Sequence, residues 1–340
     1  MSTPRRADRP LSWGFPAEQS VTAWQERHAH GEVPSVWPYG LDGLRESGAV
    51  EVLDLPAPGR VARLRARAGI GRRPSPGLAF TWDENAAFRL QVMRPHARFI
   101  SGVIWLTDMV ERGTVPARLI EVLGRAEALW VLSEAQVAPL RALFGPNGPR
   151  VVAVPFGVDA QFFSARPYPT RPRVVSIGND RDRDPQTLFR ALARVRDARP
   201  DAELIVQSSA SGVPDGIEIV PRMTHGELRE LYATASVVAT ATRPNLHVSG
   251  MTVTLEALAT GRPVVNTDTP GMGQYVSEGR TGHLVPVGDD EAMAHRLLAL
   301  LDDPIRADAM GREGRRTVEQ GFTTQEMCAH LATILRAPAE

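Results

Sequence analysis

Short apolar runs alternate along the whole chain with stretches whose apolar residues recur every third or fourth position. The second half shows this best. Arg173 to Ile177, Glu203 to Gln207, Val237 to Thr240, Val264 to Asn266 and His283 to Val285 read as strands. Between them, Pro185 to Arg199 reads as a helix, with Pro185 in the first turn and Leu188, Leu192 and Val195 on one side. Thr224 can cap a helix bearing Leu228 and Leu231, and Glu227 completes a capping box. Further helices are expected over Asp290 to Leu301, Pro304 to Gln320 and Thr324 to Leu335. In the first half, strands are expected at Leu11 to Phe15, Val50 to Leu55, Gly77 to Thr81, Phe99 to Leu106, Ala128 to Leu132 and Val151 to Val154. Alternation of this kind predicts an α/β protein, with parallel sheets and helices on both faces. Pro167, Pro169 and Pro172 resist helix and inner strand alike and mark a linker. The expected domains are therefore 1–165 and 166–321, with a terminal helix over 322–337 packing back on the first.

Composition narrows this picture. The 340 residues favour two domains, and a hydrophobic content of 43% supports ordinary globular cores. A formal net charge of zero argues against a general nucleic-acid binder. Every basic residue apart from histidine is arginine, which excludes lysine Schiff-base chemistry. Cys328 stands alone, so no internal disulfide or cysteine-rich metal site forms, and inert packing is its expected role. No apolar run approaches the length of a membrane span, and Met1 to Pro10 is polar with no apolar stretch behind it. A cytoplasmic location is expected.

The densest chemistry lies between His247 and Val265. Ser249, Gly250, Met251 and Thr252 form a small turn that opens an apolar helix, and Gly261 and Pro263 close it. A helix N-terminus carries unpaired N–H groups and partial positive charge, so it suits a phosphate. Gly250 puts no Cβ in the way of a close ligand. Glu256 lies one turn after Thr252 on about the same face, where a carboxylate could accept bonds from the vicinal hydroxyls of a ribose. Any turn, helix and strand of an α/β domain has this outline. The lone acid inside Val253 to Ala259 is what favours a nucleotide.

Three ordered segments carry a resemblance. They are Val154-Pro155-Phe156-Gly157-Val158-Asp159 followed by Phe162-Phe163; Glu256-Ala257-Leu258-Ala259 before Gly261-Arg262-Pro263-Val264-Val265; and Thr281-Gly282-His283-Leu284-Val285-Pro286 with Gly288-Asp289. Together they make Val151 to Gln320 similar to the nucleotide-binding half of family-4 retaining glycosyltransferases. The first half matches loosely, at Ala126 to Ser133 with Gln136 and around Trp37 to Leu41. The resemblance implies a GT-B fold, two Rossmann-like domains with parallel sheets facing across a cleft. It implies a UDP-, GDP- or dTDP-linked sugar donor, transfer with retention, and no metal or other cofactor. Fixed positive groups aimed at a departing diphosphate would lower the barrier.

The chain departs from that family at several places. Val248 stands where the family has a glutamate near the donor hexose, which leaves His247 and Ser249 as candidate hexose contacts. After Gly178, Asn179 stands where an arginine is usual and Asp184 aligns with a lysine. Arg183 is the first candidate for the diphosphate cation and Arg181 the second, because arginine can hold two phosphate oxygens. The alternative is that the alternating charges of this loop pair with one another. Gly271 is expected beside the donor, or simply in a tight turn, with Gln274 replacing an acid. Arg222 is expected near the base.

In the first domain, Asp83 is a good N-cap, with orientation of an acceptor hydroxyl or amine by Asp83 or Glu84 as the alternative. Thr107 and Asp108 occupy the place of a usual His-Asp pair, and Ser12 to Phe15 could form a loop facing the diphosphate. The run Arg60, Arg63, Arg65, Arg67, Arg72 and Arg73 reads as a solvated helix and loop in preference to a membrane-surface contact. A retaining glycosyltransferase with Arg183, Glu256 and Asp83 as catalytic candidates is the leading reading. A non-catalytic nucleotide-binding GT-B partner and a sugar-nucleotide epimerase are the alternatives.

Overall fold

The computed structural model describes residues 11–47, 50–61 and 77–337. The chain forms two compact units. The first comprises residues up to Ala29, Ser35–Pro155 and the chain from Met327; the second comprises His30–Pro34 and Phe156–Glu326. The division falls at Pro155, not at the proline-rich linker. Residues 156–165 are held within the second unit, where Val158 bridges Thr323 and the Phe156 N–H donates to the Tyr275 hydroxyl at 3.0 Å.

The first unit holds a six-stranded parallel sheet in the order β2-β1-β3-β4-β5-β6. Its strands are β1 (Leu11–Pro16), β2 (Val50–Leu55), β3 (Leu78–Thr81), β4 (Arg98–Val103), β5 (Ala128–Val131) and β6 (Arg150–Ala153). Ser12 to Phe15 therefore lie inside β1 and form no loop. One face of this sheet packs on Ala86, Leu90, Leu119 and Leu123. Trp13, Phe80 and Trp130 stack as a second, aromatic set, with Trp13 and Phe80 ring centroids 3.9 Å apart. Cys328 lies on the Thr324–Arg336 helix, and its Sγ meets the Gly40 carbonyl at 3.4 Å, in keeping with a packing role. β4 ends three residues before the expected Leu106. The Glu84 carboxylate takes the Ile104 and Trp105 N–H groups at 2.9 and 2.8 Å and turns the chain into the Leu106–Glu111 helix. Of the basic run, Arg63, Arg65, Arg67, Arg72 and Arg73 lie outside the described residues.

The second unit holds a six-stranded parallel sheet in the order β12-β11-β10-β7-β8-β9. Its strands are β7 (Arg173–Ser176), β8 (Glu203–Gln207), β9 (Ile217–Val220), β10 (Val237–Thr240), β11 (Val264–Thr267) and β12 (Gly282–Val285). β10 and β11 are buried on both faces, which explains their unbroken apolar runs. The Pro185–Ala198 helix starts on Asp184, whose carboxylate accepts from the Thr187 N–H at 3.2 Å. Leu188, Leu192 and Val195 of this helix enter the core beside Val174, Leu204 and Val237. The His225–Thr234 helix opens with the expected Thr224–Glu227 capping box.

Strand order reverses between β7 and β10. In a doubly wound sheet, ligands gather beyond the carboxyl ends of the strands at such a reversal. The Met251–Ala259 helix follows β10 there, and its rear is fixed by the Pro304–Gly321 helix. A Cβ on Gly311 would strike the Gly261 carbonyl oxygen, and one on Gly314 would meet the Leu258 side chain. Gly311→Ala should therefore cost about 2–3 kcal/mol of stability in urea unfolding, because backbone must move. Gly314→Ala should cost less, since a leucine side chain can shift. Equal small losses would show that these helices have slack.

Candidate active site

Two loops meet at the strand-order reversal. The loop after β7 runs from Gly178 to Asp184, and the loop after β10 runs from Ala241 to Gly250. Backbone bonds tie them together. The Asp184 N–H donates to the Ala241 carbonyl at 2.9 Å, and the Arg243 N–H donates to the Asp182 carbonyl at 2.8 Å. Gln207 braces the first loop by accepting from the Gly178 N–H at 3.3 Å and donating to the Pro221 carbonyl at 3.0 Å.

Arg183 runs inward from this seam. Its guanidinium fills the space where a Cβ on Gly178 would stand, and Nη1 lies 3.0 Å from the place of a Cβ on Gly250. Both glycines have positive φ, +113° and +99°, so a side chain at either would be strained as well as crowded. Nε and Nη1 of Arg183 are shut off from solvent and have no hydrogen-bond partner among the described residues. Burial pulls its pKa below the usual arginine value, while Asp180 and Tyr232 pull it back. Arg181, the second candidate, is exposed.

Asp180 accepts the Arg183 N–H on its backbone carbonyl at 3.1 Å, but no carboxylate of the loop bonds to the Arg183 guanidinium. Asp180 Oδ1 accepts from the Ser249 hydroxyl at 2.7 Å and from the Asp182 N–H at 3.0 Å, and His247 Nε2 lies 3.2 Å away. Burial opposes its ionisation, but the His247 bond and charge and the Asp182 and Ser249 bonds outweigh this and hold its pKa well below the usual carboxylate range. His247 Nδ1 lies 3.9 Å from Asp182 Oδ2. Ligand atoms of Asp180, Asp182 and His247 all fall within 4.8 Å of one another, close enough for a single cation. Asn245 accepts the Ser249 N–H at 2.9 Å. Between His247 and Ser249, Val248 is fully buried at φ +54°, a left-handed conformation that costs a β-branched residue energy. The Asp180 carboxylate thus pairs with His247 and Ser249 of the second loop.

The Met251–Ala259 helix begins at Gly250, which offers no side-chain cap. No side chain satisfies its first N–H groups; the Met251 N–H donates to the Val248 carbonyl at 3.1 Å. Thr252 is half-buried in this otherwise buried helix. Glu256 is 4% exposed, and its Oε2 accepts from the Tyr232 hydroxyl at 2.9 Å. Burial raises its pKa to about 7 against the Tyr232 bond. Tyr232 was invisible as a partner in the sequence, as were Asp180 and Asn245. Arg222 is exposed beyond the edge strand β9, and Gly271, at φ +91°, caps the short Met272–Gln274 turn. Neither makes a side-chain contact with the cluster above.

In the first unit, Asp83 caps the Glu84–Met93 helix by accepting the Ala86 N–H at 2.8 Å. Burial raises its pKa. Glu84 is fully buried, with its pKa raised to about 7, chiefly by burial, and it is committed to the backbone after β4. Thr107 receives the Gln136 amide at 3.0 Å and is buried.

The two doubly wound units define the GT-B class of fold. Residues 171–303 match the family model described as Glycosyl transferases group 1. The chain is similar to a GDP-mannose-dependent monoacylated alpha-(1-6)-phosphatidylinositol monomannoside mannosyltransferase from Corynebacterium glutamicum, at 32% identity over 44% of this chain and 43% of that protein. It is also similar to a D-inositol 3-phosphate glycosyltransferase from an Arthrobacter species, at 30% identity over 62% of this chain and 55% of that protein. The matched region thus spans about half the length of these relatives. Among solved structures, sucrose-phosphate synthase from Thermosynechococcus elongatus shares the fold with a TM-score of 0.68 at 16% identity, over 96% of this chain and 98% of that one. HepE of Anabaena, solved with UDP and glucose, gives 0.66 at 13% identity over 97% and 100%. No helix among the described residues is long and apolar enough to cross a membrane.

The Glu256 pKa has a measurable consequence. Because it is raised in the folded state, its stabilisation is complete below the ordinary value of 4.5 and is lost as pH climbs through about 7. Relative to Glu256→Gln, the native chain should lose roughly 2–3 kcal/mol between pH 5 and pH 8 in urea unfolding. A constant difference would show that the carboxyl keeps one protonation state across that range.

Proposed function

We propose that this protein is a glycosyltransferase that takes a hexose from a UDP-, GDP- or dTDP-linked donor and passes it to an acceptor hydroxyl or amine. The observation that carries this reading is Arg183. A shielded guanidinium with two unpartnered donors, beside an uncapped helix N-terminus, is costly unless an anion completes it. A diphosphate is such an anion. The family match of residues 171–303, a GDP-mannose-dependent relative and a fold relative solved with UDP and glucose all support a nucleotide-sugar donor.

In this reading the donor's diphosphate lies on Arg183 and on the turn of Ser249, Gly250, Met251 and Thr252, where the Ser249 and Met251 N–H groups are taken by Asn245 and the Val248 carbonyl and those of Gly250 and Thr252 serve the ligand. Glu256 takes a ribose hydroxyl with Oε1 while Tyr232 holds Oε2. Gly178 makes room for the Arg183 guanidinium, Gly271 leaves room for the ligand, and Arg222 serves the base. The bond from the anomeric carbon to the diphosphate oxygen breaks, and the acceptor oxygen or nitrogen bonds to that carbon and sheds its proton. Negative charge grows on the departing diphosphate, where fixed positive groups act most strongly. Retention of configuration is carried over from the family resemblance. Asp83 is the candidate for orienting the acceptor, on its position after β3 where the order of the first sheet reverses. The cationic side chain and the uncapped helix end support a metal-independent reading.

Two measurements test this. Arg183→Ala should lower kcat/KM for a competent nucleotide sugar about a hundredfold, while affinity for the bare nucleoside falls little. Equal losses in both would remove Arg183 from leaving-group stabilisation. Transfer should survive EDTA; loss of activity, restored by a divalent ion, would assign a cation to Asp180, Asp182 and His247. A second reading, a nucleotide-binding subunit without activity, is favoured by Val248 at a glutamate position of the family. It predicts that no free nucleoside diphosphate is released from any sugar nucleotide.

A further inference from the structure

A cation and a carboxylate on one short loop normally neutralise each other. Here they are kept apart. Arg183 Nε and Nη1 have no hydrogen-bond partner, while Asp180 Oδ1, three residues away, is turned to Ser249, His247 and the Asp182 N–H. The separation is built in. The Asp182–Arg243 and Asp184–Ala241 backbone bonds fix the loop, and strained Val248 places His247 and Ser249 on the same carboxylate. Asp180 is also the most open of its cluster, with 23% of its side chain exposed against 4% for His247 and 3% for Asp182. A ligand with an anionic group for Arg183 and, joined to it, hydroxyl or ammonium donors suits this arrangement, since the Asp180 carboxylate is partly exposed and ionised.

We propose that Asp180 is the specificity-determining residue for the sugar of the donor, selecting neutral or amino hexoses and rejecting hexuronates. This rests on the diphosphate reading of Arg183. With the diphosphate on Arg183, the attached hexose reaches Asp180, where ring hydroxyls donate to the carboxylate. A sugar acid would bring a second negative charge to a site of restricted solvent access, and like charges there repel strongly. A site built to accept a donor hydrogen bond discriminates well against a ligand that cannot supply one. His247 and Ser249 are positioning residues that hold Asp180 in place.

Calorimetric titration of the full chain tests this with UDP, UDP-glucose and UDP-glucuronate, and with GDP, GDP-mannose and GDP-mannuronate. In the series that binds, the native chain should prefer the neutral sugar nucleotide over the acidic one by tenfold or more. Asp180→Asn should shrink that preference to about threefold or less, measured against the bare diphosphate in the same variant. Ser249→Ala, a smaller change that loosens the same carboxylate, should shrink it partway and serves if the first variant melts early. An unchanged preference in a folded variant overturns the role of Asp180 and leaves the diphosphate site standing. Absence of any nucleotide binding by the native chain overturns the diphosphate site, and this inference with it.

Discussion

The backbone seam between the loop after β7 and the loop after β10 is the constraint on which the second unit's chemistry depends. Two short bonds, from Asp184 to Ala241 and from Arg243 to Asp182, set the path of the chain on both sides of Arg183. Without them the guanidinium could swing toward the neighbouring acids and bury its charge against theirs. With them, the arginine faces two glycines and a helix end while the acids face His247 and Ser249. The strain at Val248 is one cost of this separation.

The helix behind the site is held as firmly as the loops in front. Gly311 and Gly314 let the Pro304–Gly321 helix approach the Met251–Ala259 helix closely. The buried Arg262 guanidinium, its pKa lowered by burial to about 10, ties the carbonyls of Arg166, Pro167, Tyr232 and Ala233 together. Tyr232 is thereby fixed at its backbone and presents its hydroxyl to Glu256. The acid inside an apolar helix is thus accommodated by a phenol from a separate helix, and the pair lies close to the electric field of Arg183.

The pattern of apolar positions was enough to place five of the six strands of the second unit and its helix starts, because Thr224 and Asp184 cap through local bonds within three residues. The edge strand β9 was not bounded beforehand, since Glu218 and Ile219 are exposed and leave no clean alternation. In the first unit, the end of β4 depends on Glu84, a residue 20 positions away from the Ile104 N–H it accepts, so no local pattern could show it. The same limit applied to the site. Arg183, Gly250 and Glu256 were legible from local chemistry and resemblance. The partners of Asp180 and Glu256 come from positions 69 and 24 residues distant, and the acids of the loop looked as though they would pair with the arginines beside them.

The choice of arginine at this place has a consequence for control of the protein. A guanidinium stays protonated at any physiological pH, even with its pKa lowered by burial. Acetyl transfer to a lysine, a common way for cells to erase a positive charge, has no target in a chain that lacks lysine altogether. The positive charge at this place is therefore always switched on, and any tuning of it must come through the shape of the surrounding loops.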